Sequence, residues 1–129
     1  MIELLVSLAI IGMLFAAVLA LTSGVREKAR DAKRMSDVRE ISKALELYVV
    51  NTGNFPVETE AISITGDDTV SSVLEDELLI SEMPTDPQYP TQVYTYQSDA
   101  NGSTYTISFC LETDTIESFS QGCGNTITP

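Results

Sequence analysis

Few side chains in this sequence have the type and spacing that chemistry requires. The chain has no histidine, so it lacks the commonest general base and the commonest metal ligand. It also has no glycine-rich phosphate loop, and we expect a protein that is not an enzyme and needs no cofactor. Asp99, Asn101 and Ser103 place oxygen atoms at alternate positions, as a calcium loop does. A turn is the stronger interpretation, because Asn101 precedes Gly102 in a hairpin dipeptide.

A single carboxylate, Glu3, stands at the edge of a long apolar run. Apart from Ser7, no residue between Leu4 and Leu21 is polar, and a run of about 20 such residues can cross a bilayer as a helix. An acid in lipid costs roughly 2.5–3.5 kcal/mol near the membrane centre and less toward the interface. Glu3 is therefore either an inexpensive interfacial residue or a residue that serves a partner.

The element that carries Glu3 is predicted to be one long helix. Beyond the apolar run, apolar or small residues at positions 25, 29, 32, 35, 38, 41, 45 and 48 form one stripe along a helix. We expect a helix over residues 2–51, about 75 Å long. Residues 1–24 form its apolar half and residues 25–51 its amphipathic half. Acid–base pairs three residues apart are expected on its surface: Glu27 with Arg30, Asp31 with Arg34, and Glu40 with Lys43.

Residues 52–129 predict a small globular head, which makes the fold α+β. A short helix opened by Asp68 and Thr69 is expected to bury one side, which carries Val70, Val73, Leu74 and Leu78. The proline-rich residues 82–91 are expected to form a loop. Alternating apolar and polar residues predict strands over residues 93–96 and 105–110, with a third over residues 115–119. We expect an antiparallel sheet of three or four strands, packed on the amphipathic half of the long helix.

The charges divide sharply along the chain. The net charge is −12, all seven basic residues lie between Arg26 and Lys43, and the residues after Lys43 include fourteen acids and no base. Nucleic-acid affinity depends on Lys and Arg contacts to phosphate, so we expect no direct nucleic-acid binding by the acidic head. We expect the basic segment to lie against acidic heads of neighbouring copies, in contacts that loosen as salt rises.

Two segments resemble the type IV pilin and pseudopilin superfamily. They are "MIELLVSLAIIGML" and "ARDAKRMSDVREISKALELYVVNTGNFP", and the resemblance covers residues 1–56. It implies that Glu3 pairs with the amino terminus of a neighbouring subunit in a filament. Gly12 would be the weak point of an apolar helix that contains no proline. Met1 and Ile2 align with the third and fourth residues of a typical mature pilin, so we expect two residues and a basic leader upstream of Met1.

The resemblance implies a structural subunit in a helical homopolymer of identical chains. The first hypothesis is a pilin that polymerises through its amino-terminal helix into a type IV pilus, for adhesion, motility or DNA uptake. The alternatives are a pseudopilin of a type II secretion or competence system and a monomeric membrane-anchored binding domain. Implied partners are a prepilin peptidase, an assembly ATPase and an inner-membrane platform, and the resemblance also implies methylation of the processed amino terminus. The subunit would reside in the inner (cytoplasmic) membrane before assembly and in an extracellular filament afterwards.

Cys110 and Cys123 are the two cysteines of the chain. In an exported domain two cysteines predict a disulfide, and a loop of this length contributes roughly 3 kcal/mol to stability. It would hold the carboxyl-terminal tail on the sheet. A reactive thiol is the weaker alternative, since no base lies nearby in the sequence and acids raise the pKa of a thiol.

Overall fold

The computed structural model describes the backbone of residues 2–129 and the side chains of residues 2–19 and 24–129. Met1, at the start of the predicted apolar segment, lies outside the described residues. The elements in chain order are α1 (Ile2–Thr52), β1 (Ile62–Ile64), α2 (Thr69–Asp76), β2 (Tyr94–Ser98), β3 (Tyr105–Leu111) and β4 (Gly122–Ile127). The strands form one antiparallel sheet in the order β1-β2-β3-β4. The predicted α+β fold is confirmed.

Helix α1 runs without a break from the apolar half into the head. It ends one residue beyond the predicted position, because Gly53 takes a left-handed φ of 91° and its N–H donates to the Val49 carbonyl at 2.8 Å. In the head, Val38, Ile41 and Leu45 are fully buried. Their spacing of three and four residues places them on the one face of α1 that packs against the sheet.

The sheet supplies the other side of the core. Every second residue of β3 is buried, and Tyr94 and Tyr96 of β2 are fully buried beside them. Tyr96 lies opposite Ile107 in the β2–β3 register, and the Phe55 ring meets Tyr105 edge-on at 4.8 Å between centroids. The alternation of the sequence therefore predicted the correct inner face of both strands.

Helix α2 begins as predicted and ends earlier than predicted. The Asp68 carboxylate caps it by accepting a hydrogen bond from the Ser71 N–H at 3.0 Å, and Val70 and Leu74 are buried. The prediction that Leu78 is buried was wrong. The helix stops at Asp76, Leu78 adopts a left-handed φ of 56°, and its side chain is 90% exposed.

The predicted third strand over residues 115–119 was also wrong. This segment forms a turn, in which the Phe119 N–H donates to the Ile116 carbonyl at 3.2 Å and Ser118 has a φ of 74°. The Phe119 ring packs edge-on against Phe109, so its apolar residues serve packing rather than strand pairing. The last strand is instead β4, whose two glycines gave little strand signal in the sequence.

Candidate functional site

The first half of α1 extends as bare apolar helix. Every described residue from Ile2 to Leu19 is exposed, and its large apolar side chains are between 52% exposed at Val6 and 79% exposed at Ile2 and Met13. The helix is long and apolar enough to cross a membrane by length and composition. Soluble monomers rarely expose apolar patches of more than a few hundred Å², so this surface requires lipid or protein around it.

Glu3 lies in the first turn of this bare helix. Its side chain is exposed, and its main-chain carbonyl accepts a hydrogen bond from the Ser7 hydroxyl at 2.8 Å. The Ser7 hydroxyl is thereby satisfied by its own helix. The first-turn position suits a carboxylate, because the unpaired N–H groups of a helix start carry partial positive charge. The fold therefore presents the Glu3 carboxylate at the end of α1 farthest from the head.

Gly12 lies in the middle of the bare helix. The helix is continuous there, and apart from the adjoining residues and backbone of the helix itself, no atom of the described residues lies within 4 Å of the position a Cβ would occupy. No packing contact within the part of the chain that the structure describes requires a glycine at this position. Glycine costs a helix interior about 1 kcal/mol relative to alanine, so Gly12 makes this part of α1 easier to bend.

Where α1 enters the head, a buried ionic cluster joins it to two other segments. We call Asp31, Arg34, Asp86 and Glu112 the ionic clamp. The Arg34 side chain is fully buried, and its guanidinium donates five hydrogen bonds of 2.7–3.2 Å. They go to the three carboxylates of the clamp and to the side-chain oxygen of Gln88. Five is the full donor capacity of a guanidinium, so Arg34 is completely satisfied.

Asp31 connects α1 to the residues that directly follow β3. Its carboxylate accepts hydrogen bonds from the Glu112 N–H at 2.9 Å, the Thr113 N–H at 2.9 Å and the Thr113 hydroxyl at 2.7 Å. Arg30 adds a two-pronged ion pair to Glu112. The clamp therefore fixes both the proline-rich loop and the end of β3 to a single turn of α1.

The clamp revises the predicted helix surface. The prediction placed Ala29 and Ala32 on the buried stripe and the Asp31–Arg34 pair on the surface. In the structure both alanines are exposed and the ion pair is buried. Arg30 pairs with Glu112 rather than with Glu27. The signal was present in the spacing, because positions 31 and 34 continue the buried series 38, 41 and 45 backwards by four and three residues.

Three of the seven basic residues are therefore paired within the subunit. Arg30 and Arg34 belong to the clamp region, and Lys33 pairs with the buried carboxylate of Asp37, which also accepts a hydrogen bond from the Tyr94 hydroxyl at 3.1 Å. Four other basic residues are exposed and have no ion pair among the described residues, so they remain available for the predicted contact with neighbouring heads. They are Arg26, Lys28, Arg39 and Lys43.

The turn after β2 uses its polar atoms internally. One carboxylate oxygen of Asp99 accepts hydrogen bonds from the Ser103 N–H at 2.6 Å and the Thr104 N–H at 3.0 Å, and these bonds lower the pKa of Asp99. Gly102 has a φ of 62°, and a Cβ there would lie 2.5 Å from the Phe55 carbonyl oxygen, so the turn requires glycine. Over the described residues no group of three or more acidic, cysteine or histidine side chains is arranged to hold a metal. Calcium binding by Asp99, Asn101 and Ser103 stays a prediction.

Cys110 and Cys123 are joined by a disulfide that links β3 to β4. We expect the double substitution Cys110→Ser, Cys123→Ser to lower the free energy of unfolding by about 3 kcal/mol, because the unfolded chain gains the freedom of an open loop. Urea unfolding followed by near-ultraviolet circular dichroism of the tyrosines measures this. Wild type treated with a reductant should lose the same amount, and an unchanged midpoint in both samples would contradict the expectation.

The family described as "Type II secretion system (T2SS), protein G" matches residues 22–117. The chain belongs to this family. No curated protein and no solved structure matches the chain significantly. The matched region contains the amphipathic half of α1, the whole ionic clamp and the sheet through β3. Membership in the protein G family makes the chain a structural component of the pseudopilin type, and the bare apolar helix fits membrane anchoring.

In this protein G family member the clamp should make stability depend on pH. The hydrogen bond from Arg30, reinforced by Arg34, outweighs burial and lowers the pKa of Glu112 from its ordinary 4.5 to about 2. A lowered pKa adds stability above the ordinary value, and this stability is lost as pH falls from about 4.5 toward 2.

We therefore expect the difference in unfolding free energy between wild type and Glu112→Gln to shrink across that range. The expected slope is at most about 1.4 kcal/mol per pH unit, the value for one proton. Urea unfolding at steps between pH 7 and pH 2.5 measures this slope. The pKa values of Asp68 and Asp99 are also lowered, but both residues are present in both proteins, so their contribution cancels in the difference. A difference that stays constant with pH would show that Glu112 does not titrate in this window.

Proposed function

We propose that the chain is a structural subunit that polymerises through the apolar half of α1 into a filament of a secretion machinery. One observation carries the proposal. In a single unbroken helix, every described side chain of the apolar half is exposed, while the other half is joined to a folded head by buried ion pairs. Lipid covers the apolar half before assembly, and the same halves of neighbouring subunits cover it in the filament.

The ionic clamp supports this proposal mechanically. A plain membrane anchor needs only a linker between its span and its domain, whereas here the head cannot rotate about α1 without breaking buried ion pairs. Taking one partner from a buried pair costs about 3–5 kcal/mol. A fixed angle between helix and head is what a regular helical polymer needs, because each subunit must repeat the same contacts.

Glu3 and Gly12 take their proposed roles from this arrangement. The Glu3 carboxylate enters an apolar environment when subunits pack, and a positively charged amino terminus on a neighbour would satisfy it there. Gly12 allows a local change in the helix as the subunit leaves the membrane. The proposed partners are identical subunits together with a prepilin peptidase, an assembly ATPase and an inner-membrane platform. The proposed path runs from the inner membrane to a filament outside it.

The family favours the pseudopilin alternative over the pilus pilin of the first hypothesis. A pilus pilin remains the second candidate because of the disulfide between β3 and β4 and because the turn at Asp99 is closed by its own hydrogen bonds. A pseudopilin would more often have an open calcium loop and no terminal disulfide. A pilin and a pseudopilin differ in the phenotype of cells that lack the subunit.

The test compares producing cells with and without the gene. Filaments sheared from the cells and imaged by electron microscopy should contain this chain, identified by intact mass with its disulfide in place. A pseudopilin is indicated if deletion stops protein secretion into the medium, and a pilin if deletion removes long surface filaments and leaves secretion intact. Detergent-soluble monomers without any filament would instead support a membrane-anchored binding domain.

A further inference from the structure

Leu78 is an apolar side chain held out into solvent by the backbone. It follows the last turn of α2, where its N–H donates to the Glu75 carbonyl at 2.9 Å and the Leu79 N–H donates to the Leu74 carbonyl at 3.0 Å. These two bonds make the standard left-handed helix end, in which the left-handed residue is usually glycine. Here a leucine takes the strained conformation with a φ of 56° and is 90% exposed. Within the described subunit this side chain buries almost none of its apolar surface.

A second exposed surface lies on α1, on the side turned away from the sheet. We call Ala32, Ser36, Arg39, Lys43, Leu47 and Val50 the back face. All six are exposed, and Leu47 and Val50 are 53% and 80% exposed. A shallow groove of about 370 Å³ crosses the back face between Ala32 and Lys43, with the side of Met35 in its wall.

The charges of the two surfaces are complementary. Leu78 follows the exposed acids Asp76 and Glu77, whereas the groove is bordered by Arg39 and Lys43, which have no ion pair among the described residues. Glu40 also lines the groove, where the two positive charges of Arg39 and Lys43 outnumber its single negative charge. The groove therefore offers the small side chains of Ala32 and Ser36 and the edge of Met35, beside two positive charges that have no ion pair among the described residues.

We propose that Leu78 of one subunit docks in the back-face groove of a second copy of this chain, with Asp76 and Glu77 beside Arg39 and Lys43. The two surfaces lie on different parts of the subunit. Each copy would therefore offer Leu78 to one neighbour and its groove to another, which is a heterologous (head-to-tail) contact. Contacts of this kind do not close a dimer and instead repeat along a helical polymer. The inference rests on the proposed filament and names the head contact that fixes its register.

Cross-linking between engineered cysteines tests the contact in the full-length chain. The native cysteines are joined in a disulfide, so a short bismaleimide reacts only with the new thiols. The chain carrying both Leu78→Cys and Ser36→Cys should give a ladder of multimers. A mixture of the two single variants should stop at dimers, and each single variant alone should remain monomeric. Thr59→Cys with Ser36→Cys is the matched control, since Thr59 is exposed on the head outside α2.

Electron microscopy of the same samples separates the inference from the proposed function. Filaments without more Leu78–Ser36 cross-linking than the control would overturn the contact and leave the filament standing. A Leu78→Cys variant that cross-links to itself would overturn the head-to-tail arrangement. Multimers without filaments would keep the contact and overturn the filament, and the absence of both would overturn both.

A substitution at Leu78 separates docking from stability. Leu78→Gly relieves the strained backbone, so the melting temperature should rise by about 4 °C. Assembly should nevertheless fall about tenfold or more, because a buried leucine is lost from the contact. Arg39→Glu with Lys43→Glu should weaken assembly about tenfold, and adding Asp76→Lys with Glu77→Lys should restore it. Assembly by Leu78→Gly at the wild-type level would overturn the inference.

Discussion

Replacing Arg34 with alanine should destabilise the head by about 3–5 kcal/mol. The substitution leaves Asp31 and Asp86 buried, at 0% and 4% exposure, without their shared cation. Burial by itself would lower the pKa of Arg34, but the hydrogen bonds that its guanidinium donates to Asp86 and Glu112 outweigh burial and raise that pKa above its ordinary value. The guanidinium therefore stays charged at every working pH, and nothing else in the clamp replaces its charge.

The matched control for this prediction is Arg39→Ala. Arg39 lies on the same helix, is exposed and has no ion pair among the described residues, so its loss should change stability by no more than about 0.5 kcal/mol. Both variants remove one positive charge from a chain of net charge −12, so general charge repulsion cancels in the comparison. Urea unfolding in detergent, followed by the circular dichroism of the buried tyrosines, measures both. Equal midpoints for the two variants would contradict the clamp.

Replacing Glu3 with alanine should reduce filament yield about 100-fold or more. Removing the carboxylate leaves its positively charged partner unpaired inside an apolar filament core, which costs about 3 kcal/mol. This cost corresponds to about a 100-fold change in the assembly equilibrium. The substitution also makes the apolar half of α1 more apolar, so the amount of subunit in the membrane should not fall. Quantifying the chain in the sheared fraction and in the membrane fraction measures both quantities.

Glu46→Ala is the control for Glu3. Glu46 is an exposed acid on the same helix, but it lies in the head half, so its loss should leave the filament yield within about twofold of wild type. Glu3→Gln keeps the shape of the side chain and removes its charge, and it should assemble as poorly as Glu3→Ala. If both Glu3 variants assemble like wild type, Glu3 is an ordinary interfacial acid.

The regular parts of the fold could be predicted from local pattern. The spacing of Val38, Ile41 and Leu45 predicted the buried face of α1, and the alternation around Tyr94 and Tyr105 predicted the two central strands. The pattern failed where a residue's surroundings come from distant segments. Strand β4 is a glycine-containing tail that the disulfide and its pairing with β3 hold in place.

The candidate site divides in the same way. Glu3 could be identified from the sequence alone, because a charged side chain within an apolar run is unusual. The ionic clamp did not, because Arg34 meets residues 52 and 78 positions away in the chain, and a charged pair on a helix is usually solvated. Leu78 was misplaced because apolar spacing carries no information about where α2 ends.

The central claim is that the apolar halves of α1 pack against one another in a filament with the heads outside. A helical reconstruction from electron cryo-microscopy tests it most directly, at a resolution that traces α1 from Ile2 to Thr52. The predicted result is a core made of the apolar halves, with Glu3 inside it and the acidic heads on the outer surface. Particles in which those halves remain in lipid or detergent, without contact between copies, would contradict the account.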